Sequence, residues 1–234
     1  PGHLRGLSRP YPADMASGWW MHELWERSPV LLASWVFWVL LSVMLHELAH
    51  GWVALWQGDD TPRASGHMNF SPLTHMGGTS LIFFVLVGFA WGQMPVSPWR
   101  FRMGRMGDVL VSAAGPAMNV LLALVALTGL GIWVRHGPAG STVHDNLQLF
   151  LLTGGWLNLF LAVFNMLPVP PLDGGTVLAG LVPPLRPLLE GPGMRQFGWI
   201  GVFALGMLGF FAPIQSLCRS LSLGWASLVA GWVG

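Results

Sequence analysis

One carboxylate sets the problem this chain has to solve. Between Arg27 and Asp59 the sequence holds no Asp, Glu, Lys or Arg except Glu47. The run is long enough to cross a bilayer as a helix. A carboxylate inside an apolar helix is costly and marks a candidate functional site. Glu47 lies in Leu45-His46-Glu47-Leu48-Ala49-His50-Gly51, with a histidine on either side. At 3.6 residues per turn His46 and His50 project from one helix face, one above the other. This HExxH spacing suits two zinc-ligating imidazoles, with the glutamate as general base toward metal-bound water. The competing reading is a buried polar cluster bonded to a neighbouring helix. It leaves three polar groups in a membrane span with too little compensation.

Composition supports the membrane setting. The 234 residues are 53% apolar and 9% charged, against about 25% charged in a typical soluble domain. The formal charge of +1 comes without any dense basic patch, so no nucleic-acid partner is expected. All 11 basic residues are Arg. The single cysteine, Cys218, excludes an internal disulfide, and any metal must be held by His and carboxylate. Fourteen Trp suit a protein with two membrane interfaces.

Taken in order, residues 1–28 read as a polar tail leading to an interfacial helix around Trp19-Trp20-Met21-His22-Glu23-Leu24-Trp25. Met15 is a candidate natural start. A single membrane domain is expected from 29 to 234. Its clear spans are about 30–57, 108–134 and 147–170, with further spans at 196–213 and, more weakly, 214–233, where Arg219 lies. The fold class is thus an all-α polytopic membrane protein with a core of about five spans. Residues 58–76 form a polar loop, and His67 and His75 within it read as polar residues near a site entrance rather than further ligands. The loop at 95–107 carries Arg100, Arg102 and Arg105 with no acid, which predicts a cytoplasmic position.

A catalytic zinc site usually has three protein ligands and one open position, and HExxH supplies two. After the first span the acids are Asp59, Asp60, Asp108, Asp145, Asp173 and Glu190. Asp173 stands out because it follows a span end, comes after Pro168, Pro170 and Pro171, and precedes Gly174 and Gly175. Broken backbone at membrane depth is tolerated only where it is buried in protein or lines a cavity. Taken alone, Pro-Pro-Leu-Asp-Gly-Gly reads equally as a surface turn. Beside HExxH in a membrane chain the ligand reading is favoured.

Three motifs together, His46-Glu47-Leu48-Ala49-His50, Gly115-Pro116-Ala117-Met118-Asn119 and the run from Phe164 to Gly175, resemble the site-2 protease family of intramembrane zinc metalloproteases. The likeness runs from about residue 30 to 185. It implies one Zn²⁺ per chain held by His46, His50 and Asp173, with Glu47 as general base. It also implies that Asn165 assists at the scissile carbonyl and that Asn119 shapes the core. Asn158 lies two helical turns before Asn165 and shares its side of the helix. For Asn119 and Asn158 a plain polar contact between helices is an equal reading. A His₂-carboxylate set also suits non-haem iron; the HExxH spacing and the resemblance favour zinc.

The ligands can meet only if the first span and the 147–170 span run in the same direction. One crossing must therefore separate them. That predicts a re-entrant or hairpin segment near 77–94 and places the arginine loop on the ligand side. The expected setting is a prokaryotic plasma (inner) membrane with the site toward the cytoplasm. The expected reaction is hydrolysis of single-span membrane proteins by a minimal family form without a peptide-binding or nucleotide-sensing module, with a partner membrane subunit as a further expectation. The alternative is a protease-like membrane subunit that assembles with other membrane proteins without cleaving them. Metal transport fits less well, since it calls for polar groups strung along a path, whereas these converge on one point.

Overall fold

The structure is a computed structural model describing residues 19–233, with the side chains of 195, 196 and 207 left aside. Most of the expected polar tail, and Met15 with it, lies outside the described residues. Among the described residues ten α-helices follow one another: α1 Trp20–Arg27, α2 Pro29–Trp56, α3 Thr61–Ala64, α4 Pro72–Val87, α5 Arg105–His136, α6 Thr142–Asn165, α7 Asp173–Leu181, α8 Arg186–Leu189, α9 Pro192–Met207 and α10 Ala212–Trp232. There is no strand among the described residues.

Three helices, α2, α5 and α6, are long and apolar enough to cross a membrane. They coincide with the three clear spans read from the sequence. The 16 residues of α9 rise about 24 Å, short of the roughly 30 Å of a hydrocarbon core. By length and composition, three of the five expected spans are thus matched by helices able to cross.

The helix ends follow ordinary chemistry. Ser28 caps α2 by accepting a hydrogen bond from the Leu31 amide at 3.3 Å, and Pro29 occupies the first turn, where its missing N–H costs nothing. The three spans then pack closely because small residues meet large ones. A side chain at Gly154 of α6 would collide with the Trp38 ring of α2, and one at Gly155 with Leu127 of α5. With no hydrophobic driving force between helices in lipid, such close packing and interhelical hydrogen bonds hold the bundle. The Trp38 indole accordingly donates to the Phe150 carbonyl at 2.9 Å.

The segment after α3 turns back on itself. α4 breaks at Gly77, whose φ of 67° and ψ of 164° leave the helical region, and ends at Gly88 in the left-handed conformation with φ 75°; both positions suit glycine. The chain then returns alongside α4. The Ser80 hydroxyl donates to the Trp91 carbonyl at 2.7 Å and accepts from the Trp91 amide at 2.9 Å. The Gln93 amide reaches the His75 carbonyl at 2.8 Å. This hairpin leaves α5 as the single crossing between α2 and α6, so the C-terminal ends of those two helices lie on the same side. At the hairpin tip the Val85 carbonyl accepts from the indoles of Trp19 and Trp20, at 2.9 and 3.0 Å. The start of α1 therefore satisfies a helix-end carbonyl that lipid could not.

At its other end the hairpin is tied to α2. Asp59 is fully buried. Its carboxylate accepts from the Thr61 amide and hydroxyl and, at 2.6 Å, from the Ser97 amide. Burial alone would raise its pKa, but these bonds and the nearby Arg100 outweigh it and hold the group below the usual carboxylate value. A lowered folded-state pKa adds stability that is complete above the unfolded value of about 3.9 and disappears as pH falls through the folded one. Asp59→Asn puts an NH₂ opposite one of the two backbone amides that point at the carboxylate, one at each oxygen. It should lower the thermal midpoint by roughly 4–8 °C at neutral pH. The gap from wild type should narrow only below about pH 4. A constant gap from pH 7 to pH 3 would show that the charge is not what matters.

Candidate metal centre

His46 and His50 sit in the second half of α2, both buried. Asp173 is the first residue of α7. A tight turn brings it there. The Leu167 amide bonds to Phe164, Val169 to Leu167, Leu172 to Val169 and Gly175 to Leu172. At Gly174 the turn is so close that a Cβ would stand 2.2 Å from the Met166 carbonyl oxygen, which explains the glycine.

The three side chains converge. His46 Nε2 lies 3.1 Å from Asp173 Oδ2, and His50 Nε2 lies 3.5 Å from Asp173 Oδ1. One ligand atom from each falls within 4.8 Å of the others. In a zinc tetrahedron with bonds of about 2.0–2.1 Å, donor atoms stand about 3.3 Å apart, so these separations fit. The second nitrogens are engaged elsewhere. His50 Nδ1 donates to the Val111 carbonyl at 2.7 Å. His46 Nδ1 lies 2.6 Å from Asn119 Oδ1. A backbone carbonyl can only accept, so a neutral His50 carries its proton on Nδ1 and turns a lone pair toward Asp173. Asp173 Oδ2 is buried with no hydrogen-bond donor. Electron-pair donors facing one another without a proton between them are what a cation satisfies.

Space has been left for it. A Cβ on Gly115 of α5 would stand 2.5 Å from both His46 Nε2 and His50 Nε2. Glycine at this position keeps the α5 side of the centre open. Glu47 is buried beside these three side chains, within electrostatic reach of His46, His50 and Asp173. It is covered by the return leg of the hairpin, where a Cβ on Gly92 would stand 2.5 Å from Glu47 Cγ and 2.6 Å from Oε1.

A family model described as peptidase family M50 matches residues 129–208. "Putative zinc metalloprotease YwhC" of Bacillus subtilis (strain 168) is 39% identical over 153 residues, covering 62% of this chain and 68% of that protein. The chain belongs to peptidase family M50. "Putative zinc metalloprotease Rip2" of Mycobacterium tuberculosis (strain ATCC 25618 / H37Rv) is 30% identical over 218 residues, 87% of this M50 chain and 72% of its own length. A relative of the same description from Synechocystis, sll0528, is 31% identical over 193 residues, 79% of this chain and 42% of that protein. No solved structure matches significantly.

The remaining sequence candidates lie as follows. Asn165, the last residue of α6, donates to the Leu161 carbonyl of its own helix at 3.1 Å, and Asn158 donates to Gly154 and accepts from Asn119. His75 is buried with Nε2 against the Asn69 carbonyl at 2.7 Å. His67 bonds to Ser65. Neither histidine belongs to the metal-holding group. Gly92, Gly115 and the Val111 carbonyl were not singled out in the sequence. Gly115 opens one of the three quoted motifs, whereas Gly92 carries no signal of its own.

Proposed function

We propose that this M50 metalloprotease hydrolyses peptide bonds of single-span membrane proteins inside the bilayer, at a zinc centre formed by His46, His50 and Asp173. The observation that carries the reading is the convergence of three donors, the buried His46 and His50 of α2 and the half-buried Asp173 at the start of α7, next to a buried Glu47. When bound, zinc supplies a Lewis acid that polarises a carbonyl and a position at which water ionises near neutral pH. Glu47 then accepts the proton of the attacking water and delivers it to the leaving amine. Asn165 has one amide proton committed to Leu161 and a second with which to donate to the developing oxyanion. A substrate helix must open locally before its amide can enter, since its backbone groups are already paired. Arg100, Arg102 and Arg105 follow the hairpin on the side of the metal centre, tied to the end of α2 by the Arg102 amide on the Gln57 carbonyl at 2.9 Å. The positive-inside rule then turns that side to the cytoplasm of a plasma membrane.

The experiment is metal analysis of detergent-purified protein beside cleavage of a transmembrane reporter in proteoliposomes. Wild type should hold about one zinc per chain and cleave the reporter, and chelation should stop cleavage. Asp173→Ala should lose both zinc and activity. A well-folded wild type without zinc, or zinc content indifferent to Asp173→Ala, would defeat the ligand assignment. Zinc-loaded protein that binds the reporter without cutting it would favour a docking subunit.

A further inference from the structure

Asn119 on α5 and Asn158 on α6 have no exposed surface at all, and they form a chain that ends on a metal-ligand candidate. Asn158 Nδ2 donates to the Gly154 carbonyl at 2.9 Å. Asn119 Nδ2 donates to Asn158 Oδ1, also at 2.9 Å. Asn119 Oδ1 stands 2.6 Å from His46 Nδ1. We infer that Asn158, two residues removed from the metal, is a positioning residue that fixes the tautomer of His46 through Asn119 and so presents its Nε2 lone pair to the centre. The inference rests on the metal reading of His46, His50 and Asp173.

The direction of the chain follows from its far end. A backbone carbonyl only accepts, so the Asn158 group facing Gly154 must be the NH₂. Its oxygen then faces Asn119, which must answer with its own NH₂. The Asn119 oxygen is left facing His46, and only an Nδ1–H can meet it there. Each amide has two ends of opposite character, so the assignment passes along without loss. Metal-ligating histidines commonly have their second nitrogen fixed by such a partner. At His50 the partner is a backbone carbonyl, which no side-chain substitution removes. At His46 it is a side chain that could flip, and Asn158 prevents the flip. Because the chain crosses from α2 through α5 to α6, it also ties the centre to the helix that leads into Asp173.

The test uses the full chain in detergent micelles with ¹⁵N-labelled histidine, metal-free and at alkaline pH so that the imidazoles are neutral. Wild type should show Nδ1–H at both His46 and His50. His46 protonated at Nε2 would overturn the inference without any variant. In Asn158→Leu, His46 should become a mixture while His50 keeps Nδ1–H and reports an intact neighbourhood. Zinc affinity in that variant should fall roughly tenfold. Asn119→Leu should fall at least as far, and the double variant should lose no more than Asn119→Leu alone. Unchanged affinity and tautomer in Asn158→Leu, or additive losses in the double variant, overturn the inference and leave the metal reading standing. A wild type that binds no zinc overturns both.

Discussion

Reporter cleavage by Glu47→Gln falls by at least about a hundredfold, the lower end of what a positioned general base contributes, while zinc content stays at the wild-type level. The two halves of this expectation have separate causes. Glutamine keeps the shape of glutamate, so the close packing against Gly92 is undisturbed and the hairpin stays seated. The three donors that converge on the centre do not include Glu47, so metal retention does not depend on its charge. What disappears is a site that can take a proton and return it. An amide has no such capacity at any accessible pH. Cleavage within tenfold of wild type, with the same zinc content, would remove Glu47 from the reaction. Loss of zinc in Glu47→Gln would mean instead that the carboxylate acts as a ligand, and that the converged group is incomplete without it.

The centre was legible in the sequence to the extent that its chemistry is local or rare. His46 and His50 share a face because the helical period puts them there, and no tertiary information was needed. Asp173 could be picked out because a membrane chain carries few acids and only one follows a span in a proline-glycine turn. Reversal of the chain between α4 and Ser97 followed from parity alone, since candidate ligands from two distant helices must meet on one side. The contacts that shape the centre are of another kind. Nothing in Trp91-Gly92-Gln93 says that the return leg will lie on Glu47, because that depends on the register of Ser80 with Trp91 and of His75 with Gln93. The pairing of Asn119 with Asn158 was equally hidden. Two buried amides on different helices imply a partner but do not name it. Beyond α6 the number of crossings is not legible in the sequence either, for a physical reason. An apolar run reports only an aversion to water, and the chain at 192–207 satisfies it in a helix about 24 Å long by rise.

The second large effect expected is loss of zinc from Gly115→Ala, with every donor retained. The added methyl would stand 2.5 Å from both His46 Nε2 and His50 Nε2, in the space onto which the two lone pairs project. Carbon at that distance from two nitrogens is well inside van der Waals contact, so the imidazoles must move or the helices must part. Either outcome breaks a geometry in which the ligand atoms stand 3.1 and 3.5 Å from Asp173. General instability would not explain the loss, because alanine in a helix interior is favoured over glycine by about 1 kcal/mol. Gly115→Ala should therefore remain helical and monodisperse while holding no metal. A matched control lies on the same helix. A Cβ at Gly129 would meet only Leu151, at 3.8 Å and beyond, which is ordinary contact. Gly129→Ala should keep its zinc. Full zinc occupancy in a folded Gly115→Ala would place the coordination space away from α5. The fit of the two histidines to a metal would then have to be argued from the Asp173 side alone, where the orphaned Oδ2 is the remaining support.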